Sequence, residues 1–182
     1  MKKNFGQKTW IVPMPVLMIG TYNRDGSPNL MNAAWGGTYD YNQVFISLSE
    51  HKTTDNLERN KEFTLSFATR KTVAASDFVG IVSGNKVPDK VHKAGLHDHK
   101  AENVNAPIFD EYPLTLECRV ISFNDGLLVG EVINTVVDEE ILTNGKIDFL
   151  KAEFIVFDTI NNKYRLVKEE VGDAFRIGNT LK

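Results

Sequence analysis

The chain has 182 residues, 42% of them apolar and 25% charged, with a net charge of −3. That length suits a single well-buried domain over residues 1–182, and the charge gives no overall basic field to recruit nucleic acid or anionic lipid. No apolar run approaches the roughly 20 residues that cross a bilayer, no long apolar core follows the basic Met1-Lys2-Lys3 start, and the single Cys118 rules out an intrachain disulfide, so the expected location is the cytoplasm.

Residues 1–15 read as a lead-in, basic at first and then apolar and proline-broken over Trp10–Pro15, the kind of segment that covers a core edge or a partner subunit. Val16–Tyr22 is nearly all apolar and predicts a strand. Asn23-Arg24-Asp25-Gly26 supplies a turn, because Asp-Gly accepts the positive φ of tight hairpins. Leu30–Tyr39 resumes as one strand with Trp35 in its middle, and Val44–Ser49 is a third strand. After the polar break at Glu50–Thr54, Asp55–Glu62 is helix-compatible, with Leu57 facing inward.

Phe63–Ala68 alternates, placing Phe63, Leu65 and Phe67 on one face. Thr72–Val82 predicts a helix with Val73, Phe78 and Ile81 on one face, closed by Ser83-Gly84. Asn85–Asn105 is polar and irregular and holds three of the four histidines. Leu114–Phe123 alternates, with Leu116, Cys118 and Val120 on one side and Thr115, Glu117 and Arg119 on the other. Asn124-Asp125-Gly126 turns it into Leu127–Val137. Asn144-Gly145 marks a turn, Ala152–Phe157 and Tyr164–Val167 are further strands, and Lys168–Lys182 is a polar tail with Val171, Phe175 and Ile177 as docking points. Six to eight strands joined by hairpins, with about two helices, predict a mainly β, antiparallel barrel with added helices.

Two stretches carry chemistry. Asn32-Ala33-Ala34-Trp35-Gly36-Gly37 sets small side chains beside one indole, so something flat can approach the backbone. Ser49-Glu50-His51-Lys52-Thr53-Thr54 gathers hydroxyls, a fixed positive charge and the free N–H groups of a helix start, which suits a phosphate. A flat ring with a phosphate tail is flavin mononucleotide (FMN). Taken alone, Trp35 reads more readily as core or interface packing than as a ligand contact, and Lys52-Thr53-Thr54 more readily as an ordinary helix start. The dinucleotide GxGxxG and the P-loop patterns are absent from the sequence.

At these residues the chain resembles the flavin reductase-like family, flavoredoxins included, whose fold is the FMN-binding split barrel. The resemblance runs from about Pro13 to Lys182. Its blocks are Gly20-Thr21, Asp25-Gly26, Asn29, Met31–Trp35, Ser49, Lys52–Leu57, Asp77–Gly80, Ser83-Gly84, Asp89-Lys90, Gly95-Leu96, Leu116–Cys118, Gly130–Val132, Tyr164 and Val171–Gly178. It implies a homodimer with FMN near the subunit interface. By the resemblance, Asn29, Asn32, Ala33, Ala34 and Trp35 line the ring or ribityl region, and Leu48 and Ser49 touch the ring through their backbone. Lys52, Thr53 and Thr54 hold the phosphate, Lys90 reaches the same anion, and Tyr164 lies near the ring. The chain departs from some relatives in having Leu127-Leu128-Val129 before Gly130, where they carry a histidine.

The expected activity is an FMN oxidoreductase that takes hydride from NADH or NADPH and passes electrons to a small-molecule or protein acceptor. The alternative is an electron-transfer or flavin-carrier protein without that turnover, and a third reading is a ligand-free β-barrel interaction module. His51 is a loop residue or a proton source. The His97-x-His99 spacing could place two imidazoles together, but the loop is charged and no cysteine is near, so no metal is expected. Cys118 reads as a buried, inert thiol, and Asp77 as solvated or capping.

Overall fold

The computed structural model describes residues 1–181. In chain order, β1 (Met14–Pro15), β2 (Leu17–Tyr22), β3 (Pro28–Ala33), β4 (Gly36–Asp40) and β5 (Gln43–Ser47) lead into helix α1 (Lys52–Asn60). Then come β6 (Glu62–Phe67), α2 (Val73–Ile81), α3 (Lys90–Lys93), β7 (Asp98–Lys100) and β8 (Pro107–Phe109). The long hairpin β9 (Leu114–Asn124) and β10 (Leu127–Val137) follows. Short elements complete the chain: β11 (Leu142–Thr143), β12 (Lys146–Ile147), α4 (Phe149–Ala152), β13 (Ile155–Asp158) and β14 (Lys163–Leu166).

Seven strands form one antiparallel sheet in the order β3-β2-β6-β9-β10-β5-β4. Its two edge strands, β3 and β4, are consecutive in the chain, separated only by Ala34 and Trp35. A two-residue link cannot cross a flat seven-stranded sheet, because strands lie about 4.8 Å apart. The sheet therefore curls into an open, split barrel. This corrects the single strand expected over Leu30–Tyr39: the chain leaves one edge at Ala33 and joins the other at Gly36, with Trp35 at the corner.

The barrel interior is the face read from alternation. Leu17, Ile19, Met31, Ile46, Phe63, Leu65, Cys118 and Leu128 pack together there, with Leu57 of α1 among them. Gly130 makes this possible, since a Cβ at that position would lie 2.6 Å from Phe63 Cζ. On the outer face, Val16, Met18, Leu30, Val79, Val91 and Phe109 form a second cluster beneath α2 and α3. Val73 and Phe78 pack against it as expected, but Ile81 is 75% exposed, so it leaves the helix face predicted for it.

Other boundaries move as well. Helix α1 starts at Lys52 rather than Asp55, because Thr54 closes its first turn: His51 N donates to Thr54 Oγ1 at 2.9 Å, and that hydroxyl donates to the His51 carbonyl at 2.6 Å. Lys61, with φ of 58°, ends it in the left-handed conformation. The "irregular" 85–105 stretch holds α3 and β7, and the strand expected from Ala152 starts at Ile155 because α4 runs to Ala152. The predicted hairpin turn is present, with Asp125 at φ 50° and Gly126 at φ 79°. Buried Glu117 sits on the outer face of β9. Burial alone would raise its carboxyl, yet hydrogen bonds from Asn103 Nδ2, Asn134 Nδ2 and the Asn103 N–H outweigh that and hold it below the usual range.

Candidate functional site

Four segments meet at one corner of the barrel: β2, β3, the start of α1 and the 82–90 loop. Buried Asn29 on β3 donates from Nδ2 to Thr53 Oγ1 at 2.9 Å and to Thr21 Oγ1 at 3.2 Å. Asn56 Nδ2 also donates to Thr21 Oγ1, at 3.1 Å. Gly84 closes the corner. A Cβ placed there would lie 2.9 Å from Asn29 Oδ1, 3.7 Å from Lys90 Cε and 3.8 Å from Lys52 Cδ. Asn29, Lys52 and Lys90 thus surround one buried glycine, beside the N-terminus of α1.

Lys90 is the unusual member. Its side chain is buried, and Nζ donates to the Val79 and Val82 carbonyls at 2.7 and 3.1 Å. Those carbonyls lie at the end of α2, where the macrodipole favours a cation. Burial pulls the ammonium down to about 8. An ammonium has three N–H groups, so one remains for a ligand. The first N–H groups of α1 have no partner within the helix. Two cations, the Thr53 hydroxyl and a helix N-terminus form a donor set that fits a phosphate.

A second group lies along the β3–α2 contact. Asn32 Nδ2 donates to the Ser76 carbonyl at 3.1 Å, and its side chain occupies the space where a Cβ on Gly80 would fall, 2.3 Å from Oδ1. One residue along α2, Asp77 Oδ1 accepts the Tyr164 hydroxyl at 2.7 Å. Asp77 is therefore a partner of Tyr164, which corrects its reading as a solvated or capping residue. Burial, and then the Asp77 carboxylate, push the Tyr164 phenol up to about 12. Tyr164 also packs on Phe157, with ring centroids 6.0 Å apart. Phe157 and Trp35 line one shallow cavity together with Trp10 and Asn162. Trp35 is 62% exposed, which removes plain core packing as its role. Ala33 and Ala34 are half-buried beside it.

Leu48 and Ser49 stand in a third place, next to Thr54 and the β9–β10 turn. The Leu48 N–H is already donated to the Gly126 carbonyl at 2.7 Å. Among the described residues no group of three His, Cys, Asp or Glu side chains could hold a metal. His97 and His99 are exposed and each pairs with its own carboxylate, Glu111 and Asp110, at 2.7 Å. Cys118 is fully buried, and burial pushes its thiol well up, out of reach of reactivity at neutral pH. Thr21, Asn56, Ser76 and Gly84 belong to these groups and were not singled out from sequence as site residues. The signal available for Thr21 was a polar residue inside an otherwise apolar strand.

The split antiparallel barrel is the fold of the FMN-binding split-barrel proteins. The chain belongs to the flavin reductase-like family: residues 10–151 match the family described as "Flavin reductase like domain". It is similar to the flavoredoxin of Desulfovibrio vulgaris (Miyazaki F), with 33% identity, a TM-score of 0.93, and 98% of this chain covering 100% of that one. A flavoredoxin from Methanosarcina acetivorans matches at 28% identity and a TM-score of 0.90, over 100% of both chains. An FMN-binding domain of a flavin reductases-like enzyme from Shewanella baltica shares the fold at 19% identity, with a TM-score of 0.77 over 87% of this chain and 88% of that one. No curated protein sequence matches the chain.

Proposed function

We propose that this protein binds FMN and acts as an oxidoreductase that takes hydride from NADH or NADPH and delivers electrons to a small-molecule or protein acceptor. The observation that carries the reading is the convergence of Asn29, Lys52 and Lys90 on Gly84 beside the start of α1, in a chain of this family. Lys52, Lys90, Thr53 and the first N–H groups of α1 hold the phosphate, and Thr54 keeps that first turn closed. Asn29 orients the Thr53 hydroxyl. Asn32, Ala33, Ala34, Trp35 and Tyr164 border the ring, with Leu48 and Ser49 at its far side.

FMN, when bound, supplies the hydride-accepting and electron-delivering chemistry. The chain's own work is to bind, to orient and to exclude water. Asp77 fixes the direction of the Tyr164 O–H, so that phenol faces any ligand as an acceptor. We assign no side chain as a general acid or base.

We also propose a homodimer in the cytoplasm. Supporting it, the 1–13 arm and the 167–181 tail are exposed throughout, and they carry Phe5, Trp10, Ile11, Val171 and Phe175 outside the core. Trp35 at the open edge needs the same cover. Light scattering should give twice the mass of one chain; a monomer at micromolar concentration contradicts the dimer.

The test of function is the visible spectrum of the FMN-loaded protein, kept anaerobic and treated with NADH and then NADPH. Bleaching by either, followed by multiple turnovers with free flavin, supports the reductase. The two flavoredoxin neighbours favour a second reading, an electron-transfer flavoprotein without pyridine-nucleotide turnover. Tight FMN that neither nucleotide bleaches would establish that reading instead.

A further inference from the structure

Lys90 brings an amine to the phosphate corner in a setting that a simple ion-pairing lysine does not need. It is the first residue of α3 and only 4% exposed, and its Cε lies 3.7 Å from the point where a Gly84 Cβ would stand. Lys52 Cδ and Asn29 Oδ1 border the same point. Among the described residues no carboxylate acts on it, and burial alone moves its titration. Nζ donates instead to the Val79 and Val82 carbonyls, at 2.7 and 3.1 Å. A neutral amine has two N–H groups and one lone pair. The two carbonyls take both N–H groups, so loss of a proton leaves the lone pair at the third position, the one the corner reading turns toward an anion.

We propose that the corner, when it holds no flavin, takes an acyl phosphate and transfers its acyl group to Lys90. This rests on the reading of the corner as a phosphate site. In an acyl phosphate one oxygen joins the phosphoryl group to the carbonyl carbon, so a corner that holds the first brings the second beside Nζ. Lys52, the Thr53 hydroxyl and the first N–H groups of α1 hold the phosphoryl group. The Nζ lone pair attacks the carbonyl carbon. A C–N bond forms, and the C–O bond to the phosphoryl group breaks. Inorganic phosphate leaves with that electron pair and carries off the proton that the nitrogen sheds. No atom is oxidised or reduced.

Burial prepares the amine for this step. It pulls Lys90 down to about 8, so near that pH about half of the amine is neutral, against less than about 1% for an exposed lysine. Desolvation activates lysine nucleophiles in this way. The product is an uncharged amide with one N–H. It serves only one of the two carbonyls and removes a cation from the corner, so the acylated protein should bind FMN about tenfold more weakly. Flavin and acyl phosphate compete for the same donors, so a bound flavin protects the amine and the flavin-free chain is the one that is marked.

Treating the flavin-free wild type with acetyl phosphate near pH 8, and mapping acetyl groups by mass spectrometry, tests this, with FMN affinity measured alongside by fluorescence quenching. Lys90 should be acetylated at least about tenfold faster than the exposed Lys71, Lys86 and Lys93. Excess FMN or inorganic phosphate should slow Lys90 about tenfold and leave the exposed lysines unchanged. Acetic anhydride has no phosphoryl group, so its preference for Lys90 should be at least about tenfold smaller. Acetyl groups on Lys52 or on the exposed lysines, with Lys90 unmodified, overturn the proposal; FMN binding in the same sample then leaves the flavin reading standing. Equal preference for Lys90 with the anhydride overturns it too, because the corner then directs nothing. A chain that binds no FMN, yet is acetylated at Lys90 and protected by phosphate, defeats the flavin reading and supports the acyl transfer.

Discussion

The phosphate corner and the ring edge are built on opposite plans. At the corner, the side chains that frame the site are buried and partnered within one chain, with Asn29 on Thr53 and Thr21, Asn56 on Thr21 and Lys90 on two carbonyls, while Lys52 is half-buried. At the edge, Trp35 is 62% exposed, and the arm carrying Trp10 lies loosely beside it. On the proposed reading, a single chain supplies the grip on the phosphate and leaves the ring edge open. The difference teaches that affinity and chemistry have separate addresses here, and that the second is completed by whatever covers Trp35, which we take to be another copy of the chain.

Lys52→Glu should break the corner most severely. It places a negative charge at the phosphate, so FMN affinity should fall about a hundredfold while riboflavin, which has no phosphate, changes by less than about threefold. Quenching of flavin fluorescence measures both. Equal losses would place Lys52 elsewhere and erase the contrast.

A pH series comes next in size. Buried Lys90 loses its proton near pH 8 in the free protein. A bound phosphate favours the charged amine, so the complex holds more protons than the free protein above that pH. FMN affinity should therefore fall as pH rises beyond about 8, by up to about tenfold per unit, and Lys90→Met should flatten the profile. Folding stability runs the other way. The folded Lys90 value lies below the ordinary 10.5, so the unfolded chain binds more protons between about 8 and 10.5, and the flavin-free protein should gain stability across that window. Chemical denaturation at several pH values follows it.

Trp35→Ala probes the edge. Because the indole is exposed, folding stability should change by less than about 0.5 kcal/mol, while FMN binding weakens about fivefold and the dimer loosens. Denaturation, flavin titration and sedimentation separate the three. Unfolding with unaltered flavin affinity would make Trp35 a core residue after all. Tyr164→Phe should be the mildest. Removing one half-exposed hydrogen bond to Asp77 should cost about 1 kcal/mol, with a shift in the flavin absorption band as the sign that the phenol borders the ring.

Much of this was legible in the chain before any coordinates. Period-two alternation placed Phe63, Leu65, Leu116 and Cys118 on the barrel interior, because one face of each strand is buried and the other is not. The Lys52–Thr54 run announced a nearby helix start and its charge, but not that the run itself is the first turn, since the hydroxyl bond from Thr54 that closes it is a side-chain detail. The break at Ala34-Trp35 was not legible, since it follows from barrel closure, a property of seven strands together. The convergence of Lys90 with Lys52 and Asn29 was not legible from spacing either, because they come from separate segments and meet only around Gly84. Asp77 lies 87 residues from Tyr164 in sequence, and no local pattern announces such a pair. Residues 1–15 read as a lead-in over a core edge or a partner; residues 1–13 are exposed, while Met14-Pro15 pair with β13 as β1.

The central claim is that one chain's corner selects a phosphate. Titrating the flavin-free wild type with FMN and with riboflavin, side by side, tests it most directly. The account predicts FMN binding at least about a hundredfold tighter than riboflavin. Equal affinity for the two would contradict it.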